Sequence, residues 1–335
     1  MTRSRFAPWM RPFGEDPTPW LLEAGAPWVR LGVLRDLLDA PPDDPAVVAA
    51  REALAAHPLV TECRAALAGW PEPPLRRHDD AKHPLHRLKL LVDLGLDRDL
   101  LPDTPRLVGR ILSMAGTDGQ LRSVVCDPET QEPQRLAFPC DAPILLGAVL
   151  ALGDPADPRA AAALEALEVR RERDGGWFCH GEWHGLETHW RQRPESCPIA
   201  TLYSLWALAR LPAGDPRRAD RGAELLLSHF QAYDRREGRP VCYFQAGKRF
   251  RRLKFPFVWY DVLHVLDVLT RFEGLLGDRR LRAMVDAALP EAPRGGRVKA
   301  GSVFTAYKAY DFGQKREPSP TITFLLARVL RRLDA

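Results

Sequence analysis

The chain has 335 residues, room for one large domain or two ordinary ones, and its 45% hydrophobic content excludes a disordered polymer. Forty-eight lysines and arginines against 44 acids leave a net charge of +4, too small an excess to argue for nucleic acid. No apolar run reaches the roughly 18 residues of a membrane span, which argues against an integral membrane protein, and the opening MTRSRFAPWMRPFGEDPTPW lacks the unbroken apolar stretch of a secretory signal, so a cytoplasmic location is expected.

Residues 1–26 are rich in proline and tryptophan and read as a strap, with residues 27–335 forming one helical domain. Prolines at 27, 84, 143, 198, 256 and 320 each open a leucine-rich helical stretch. Equivalent leucines follow at Leu37, Leu94, Leu152, Leu208, Leu269 and Leu330, spaced by 57, 58, 56, 61 and 61 residues. A repeat of this kind decides architecture before length does. Proline suits a first helical position because its missing N–H would have no partner there. Several of these segments, such as PILLGAVLALG, are apolar nearly all round and are expected to be inner helices.

A second, more charged helix follows each break, starting at Asp44-Pro45, Thr104-Pro105, Asp157-Pro158, Asp215-Pro216 and Asp278, where an Asp or Thr can cap the first turn. These read as outer helices, with Cys63 a small buried hydrophobe on the first of them. Strand signals are weak, confined to pieces such as LRSVV and PVCYF. The fold class is therefore all-α, and about six inner helices with outer partners suggest a closed α/α toroid, an open solenoid being the alternative.

Glycine-marked loops follow the outer helices, among them Asp174-Gly175-Gly176-Trp177. With the repeat, that tetrapeptide resembles the loop signature of the terpenoid cyclase and protein prenyltransferase β-subunit superfamily. Phe250 to Asp267 and Gly313 to Ser319 resemble bacterial prenyltransferase-like, or squalene-cyclase-like, proteins of unassigned chemistry. The resemblance spans most of the chain and implies the toroid; it is poorly specific for reaction.

In a toroid of hairpins the inner helices all start at one rim. Five of the six cysteines fall near such starts: Cys126, Cys179 and Cys242 in loops after outer helices, Cys140 and Cys197 just before inner-helix prolines. Cysteines in a chain this long read as reduced thiols or metal ligands rather than a disulfide framework. A zinc site is expected from Cys140, Cys179 and Cys197, with Asp141, His180, His184 or His264 as fourth ligand, since zinc takes thiolate and imidazole tetrahedrally. The resemblance implies a similar Asp, Cys and His set, although here Cys140-Asp141 inverts the usual order. The alternative reading is small residues in a tightly packed ring. His83 and His86 flank Pro84, where they face a lumen or serve the helix start.

The run Lys248-Arg249-Phe250-Arg251-Arg252-Leu253-Lys254 precedes the fifth inner helix, and Lys315-Arg316 the sixth. Arg249, Arg251, Arg252 and Lys315 are candidate contacts for a diphosphate or other anion, against a solvated basic loop. Aromatic residues at inner-helix starts, Trp28, Tyr203, Trp206, Phe257, Trp259 and Tyr260, would line an isoprenoid cavity or simply fill the core. Asp261 and His264 share a helix face and could transfer a proton or make a structural hydrogen bond.

No DxDD, DDxxD or Walker sequence occurs, which disfavours cyclisation by protonation and magnesium-assisted ionisation. The reading is a prenyltransferase-like or terpenoid-binding enzyme acting on an isoprenoid or other hydrophobic, anionic small molecule. Alternatives are a carbohydrate-active enzyme using Glu182, Glu187 and Asp261, and a non-catalytic protein that docks a protein partner and holds structural zinc.

Overall fold

The computed structural model describes residues 7–101, 103–127, 129–154, 156–178, 196–218, 221–230, 250–289 and 296–335. The chain divides into two compact units, Pro58–His229 and Met1–His57 with Phe230–Ala335.

The Pro58–His229 unit alternates outer and inner helices: α4 (Pro58–Ala68) with α5 (Pro84–Asp93), α6 (Thr104–Leu112) with α7 (Ala142–Leu152), then α8 (Pro158–Val169), α9 (Pro198–Leu208) and α10 (Arg221–His229). Each outer helix packs on an inner neighbour, α4 on α5, α6 and α8 on α7, α10 on α9, while α5, α7 and α9 pack side by side. Inner and outer assignments follow burial. Every residue of α9 is buried, whereas α8 buries only Ala160, Ala163 and Leu164. A glycine makes the close approach of α7 and α9 feasible: Gly147 faces the Trp206 indole with no room for a Cβ. Trp206 Nε1 donates to Asp93 Oδ1 at 2.8 Å, and buried Lys89 donates to Asp93 Oδ2 at 2.6 Å with its ammonium over the Trp206 ring. All three inner helices are thereby joined.

In the other unit, α2 (Pro27–Gly32) runs into a wider turn at Val33–Leu37, and α3 (Pro45–Ala55) packs beside it. Helices α11 (Val262–Leu269), α12 (Arg279–Ala288) and α13 (Pro320–Leu333) complete the unit. Here α11 and α13 are the buried helices. Residues Pro8–Phe13 and α1 (Thr18–Ala24) lie against α13.

Three of the five expected caps form: Asp44, Asp157 and Asp278 each accept a backbone N–H of the helix they precede. Thr104 instead is the first residue of α6 and donates to Leu101 O, and Asp215 accepts from Arg217 N at the short turn Pro216–Arg218, ahead of α10. Three further expectations need correction. Pro256 does not open the fifth inner helix; that helix begins at Val262, because the Asp261 carboxylate accepts from the N–H groups of Leu263 and His264. The first outer helix is two, since Pro58 offers no N–H to continue α3 and starts α4 instead. LRSVV is extended as expected, β1 (Ser123–Cys126) pairing antiparallel with β2 (Pro133–Leu136), but Cys126 therefore sits in a strand and not in a loop. PVCYF lies outside the described residues. No described helix is long and apolar enough to cross a membrane.

Candidate metal centre

The site is built where the loop before α5 meets strand β1 and the start of α7. Leu75 donates its N–H to Val124 O (2.8 Å) and accepts from Cys126 N (2.9 Å), which pins that loop to β1. His83 caps α5 through the Leu85 N–H at 3.2 Å and donates from Nε2 to Pro73 O at 2.8 Å. His86 donates from Nε2 to the carbonyl of His78 at 2.7 Å. His83 thus makes the helix-start hydrogen bond that one of its two readings proposed, while His86 ties the preceding loop instead. Burial pushes the His83 imidazole down, and that of His86 to about 4.

His78 is thereby held against Cys140 and Asp141. Its Nδ1 lies 3.1 Å from Asp141 Oδ1 and 3.6 Å from Cys140 Sγ, and Sγ is 3.5 Å from the same carboxylate oxygen. Ser123 Oγ, delivered by β1, donates to Asp141 Oδ2 at 2.9 Å. One ligand atom from each of His78, Cys140 and Asp141 falls within 4.8 Å of the others, so the three could hold a metal ion together. Asp141 is 3% exposed and His78 34%, leaving the imidazole as the side open to solvent.

The electrostatics agree with the geometry. Burial alone would lower His78, but the facing Cys140 and Asp141 outweigh it and push the imidazolium up to about 12. Burial would raise Asp141, yet His78 and the Ser123 hydrogen bond hold it below the usual carboxylate range. Burial pushes the Cys140 thiol up to about 11, the Asp141 carboxylate adding to the effect and His78 opposing it; Cys197 is close enough to add a further upward push. The shifts run in the direction of an imidazolium–carboxylate pair with the thiol proton held more tightly.

A cleft of about 260 Å³ is lined by sequence neighbours of this group, though by none of His78, Cys140 and Asp141 themselves. Pro139 and Ala142, the residues on either side of Cys140-Asp141, form part of its wall; Leu121, Pro143, Leu146 and Trp177 supply apolar surface, with Gln120, Arg170 and Glu172 among its polar lining. The Asp174-Gly175-Gly176-Trp177 motif shapes this region. Asp174 accepts from Gly176 N, Ser196 N and Ser196 Oγ, and Trp177 donates its backbone N–H to Thr201 Oγ1 and its indole N–H to Leu167 O. Gly175 takes φ +85, and a Cβ on Gly176 would meet Ser196 and Thr201. The motif stitches its loop to α9.

The remaining candidates are distributed as follows. Cys140, Asp141 and Cys197 belong to one unit, but only Cys140 and Asp141 join the group within 4.8 Å; Cys197 acts on Cys140 electrostatically without belonging to it. His78, the most telling residue, escaped sequence reasoning because Arg76-Arg77-His78-Asp79-Asp80 reads as a solvated polar loop; its place just ahead of an inner helix was the available signal. Cys179, His180, His184, Glu182, Glu187, Cys242 and Arg249 lie outside the described residues. Cys63 is buried, and burial pushes its thiol up to about 12.

In the other unit, Arg251, Arg252 and Lys315 are exposed. Asp261 is buried as the cap of α11, and His264 Nδ1 donates to Trp259 O at 2.6 Å while its ring stacks on Phe257. Trp259 and Tyr260 are half-buried with ring centroids 6.2 Å apart. Trp28, Tyr203, Trp206 and Phe257 are core residues, each at most 4% exposed. Their large rings fill space between helices, so the cavity-lining role fits Trp177 and Phe178 instead.

These features define the class: an all-α protein of paired inner and outer helices with a His-Cys-Asp group capable of holding a metal. No family model and no curated protein matches the chain. Among solved structures it is similar to an unsaturated glucuronyl hydrolase specific for heparin, at 11% identity and a TM-score of 0.48, covering 95% of this chain and 86% of that one. It is also similar to the type II terpene cyclase MstE from Scytonema, at 12% identity and a TM-score of 0.41, covering 97% and 96%. A variant of that cyclase in complex with its substrate geranylgeranyl dihydroxybenzoate gives 13% identity, a TM-score of 0.42 and 98% of both chains.

Proposed function

We propose that this chain is a metal-dependent, prenyltransferase-like or terpenoid-binding enzyme of the α/α-toroid type, with zinc held by His78, Cys140 and Asp141. The observation that carries the reading is the convergence of three different ligand types within 4.8 Å. Thiolate, imidazole and carboxylate are all zinc ligands, and three protein ligands leave a position for water or substrate. When bound, zinc supplies Lewis acidity and lowers the pKa of a coordinated thiol or water.

The chain's own residues do the rest. Ser123 orients Asp141, and His86 fixes the His78 backbone, as second neighbours of a metal commonly do. His78 and Cys140 each give up a proton to become ligands. Leu121, Pro143, Leu146 and Trp177 offer an apolar surface for an isoprenoid or similar chain and exclude water from it. In the other unit, and independently of the metal group, Arg251, Arg252 and Lys315 are proposed as contacts for an anionic group and Asp261 with His264 as a proton-transfer pair.

A second reading takes Cys197, which acts electrostatically on Cys140 but lies outside the group that falls within 4.8 Å, as a further ligand. If Cys197 is a fourth ligand, the shell closes and the zinc is structural. Elemental analysis of the purified chain and of the variants His78→Ala and Cys140→Ser tests the site. About one zinc per chain, lost in both variants, supports it; no zinc after reconstitution of the wild type refutes it. The cobalt-substituted protein then separates the readings, because an open site changes its visible spectrum on adding a thiol and a closed one does not.

A further inference from the structure

A second cleft, of about 300 Å³, lies at the outer side of the Pro58–His229 unit between α4 and α6. Its floor is aliphatic, formed by Leu67, Leu91, Leu101, Leu107 and Leu152. Three guanidinium groups, those of Arg64, Arg106 and Arg110, line it against a single carboxylate, Asp103. Two positive charges are therefore left over at the edge of an apolar hollow.

The three arginines are not equivalent. Arg110 is fixed, donating from both terminal nitrogens to Ala68 O (2.7 Å) and Leu67 O (2.8 Å), carbonyls at the end of α4. Those acceptors are neutral, so they orient the guanidinium without cancelling its charge. Arg64 pairs with Asp103 at 3.0 Å. Arg106 is exposed and has no hydrogen-bond or ion-pair partner among the described residues. The Nε–H groups of Arg64 and Arg110 are shielded from solvent, so a ligand in the cleft would meet these two side chains through their terminal nitrogens.

We propose that this cleft binds a phosphate monoester carrying a short apolar body, the phosphate on Arg106, Arg110 and Arg64 and the body on the leucine floor. Planar guanidinium forks match phosphate oxygens, and a dianion balances the two uncompensated charges. The volume limits the apolar part to about the size of one aromatic ring or a short alkyl chain. The site is separate in residues from the metal group and does not depend on it.

The test is isothermal titration of the full chain with phenyl phosphate at low ionic strength, beside inorganic phosphate and benzyl alcohol. One phenyl phosphate per chain is expected, with inorganic phosphate weaker by about tenfold or more and benzyl alcohol showing no saturable heat. Arg106→Glu, at an exposed position where the fold is not at risk, should weaken phenyl phosphate by about tenfold or more with an unchanged unfolding midpoint. Arg64→Gln should weaken it as well, and Cys140→Ser should leave it unchanged. No saturable binding, equal affinity for inorganic phosphate, or an unaltered affinity in Arg106→Glu would overturn the proposal.

Discussion

Asp267 is the most consequential buried charge in the unit that holds α11 and α13. It is fully buried and accepts from Arg328 at 2.7 Å, Arg271 at 2.9 Å and Arg332 at 3.1 Å. Burial would raise its carboxyl, but those three guanidinium groups hold it well below the usual carboxylate range. Arg328 is itself only 5% exposed and has one other acidic contact, Asp36 at 3.3 Å. Asp267→Asn preserves shape while stranding that buried cation, a change that costs about 3–5 kcal/mol. Each kcal/mol moves the midpoint of a unit this size by about 2–4 °C, so thermal unfolding followed by circular dichroism should show a fall of about 10 °C. Asp39→Asn, at an exposed pair with Arg331, is the control and should cost less than about 1 kcal/mol. The sign with pH follows from the lowered native value. The Asp267 contribution is present above the ordinary carboxylate pKa and is lost as pH falls through the native one, so wild type and variant should converge in acid. A loss below about 1 kcal/mol for Asp267→Asn at neutral pH would refute the view that this hub ties α11 to α13.

Three further outcomes are expected. Gly147→Ala drives a methyl into the Trp206 ring and should destabilise by about 1–3 kcal/mol or more, read from urea midpoints; an unchanged midpoint would mean α7 and α9 are not in close contact. Zinc affinity, measured by competition with a chromophoric chelator, should rise with pH, because His78 and Cys140 have raised native pKa values and must both deprotonate. A pH-independent affinity would exclude them as ligands. Ser123→Ala should weaken zinc by about 10-fold or more through the loss of the hydrogen bond to Asp141, with little effect on unfolding. A large drop in stability with unaltered zinc affinity would make Ser123 purely structural.

The sequence pattern carried the helices well and the candidate metal centre only in part. Proline–leucine spacing marked the inner helices, and the Asp-Pro pairs marked outer ones, because caps and apolar periodicity act within one or two turns of chain. Pro256 misled for the same reason. A proline is compatible with a helix start but does not compel one, and the Asp261 cap six residues away from Phe255 decided the boundary instead. Cys140-Asp141 was legible as a candidate ligand pair since neighbours in sequence stay neighbours in space.

His78 was not legible. It is 62 residues from Cys140, and nothing local to Arg77-His78-Asp79 distinguishes a ligand from a solvated loop. Its placement depends on the Leu75 bridge to β1 and on His86 holding its carbonyl, contacts that exist only once α5, β1 and α7 have come together. Likewise, the aromatic residues at inner-helix starts carried no mark to separate cavity walls from packed core. Which side a ring faces is set by a partner's surface, as Gly147 shows for Trp206. Sequence alone determined the all-α class, the repeat and the capped helix starts, since those rest on short-range backbone chemistry. Tertiary structure decided which polar side chains converge, because that depends on long-range packing.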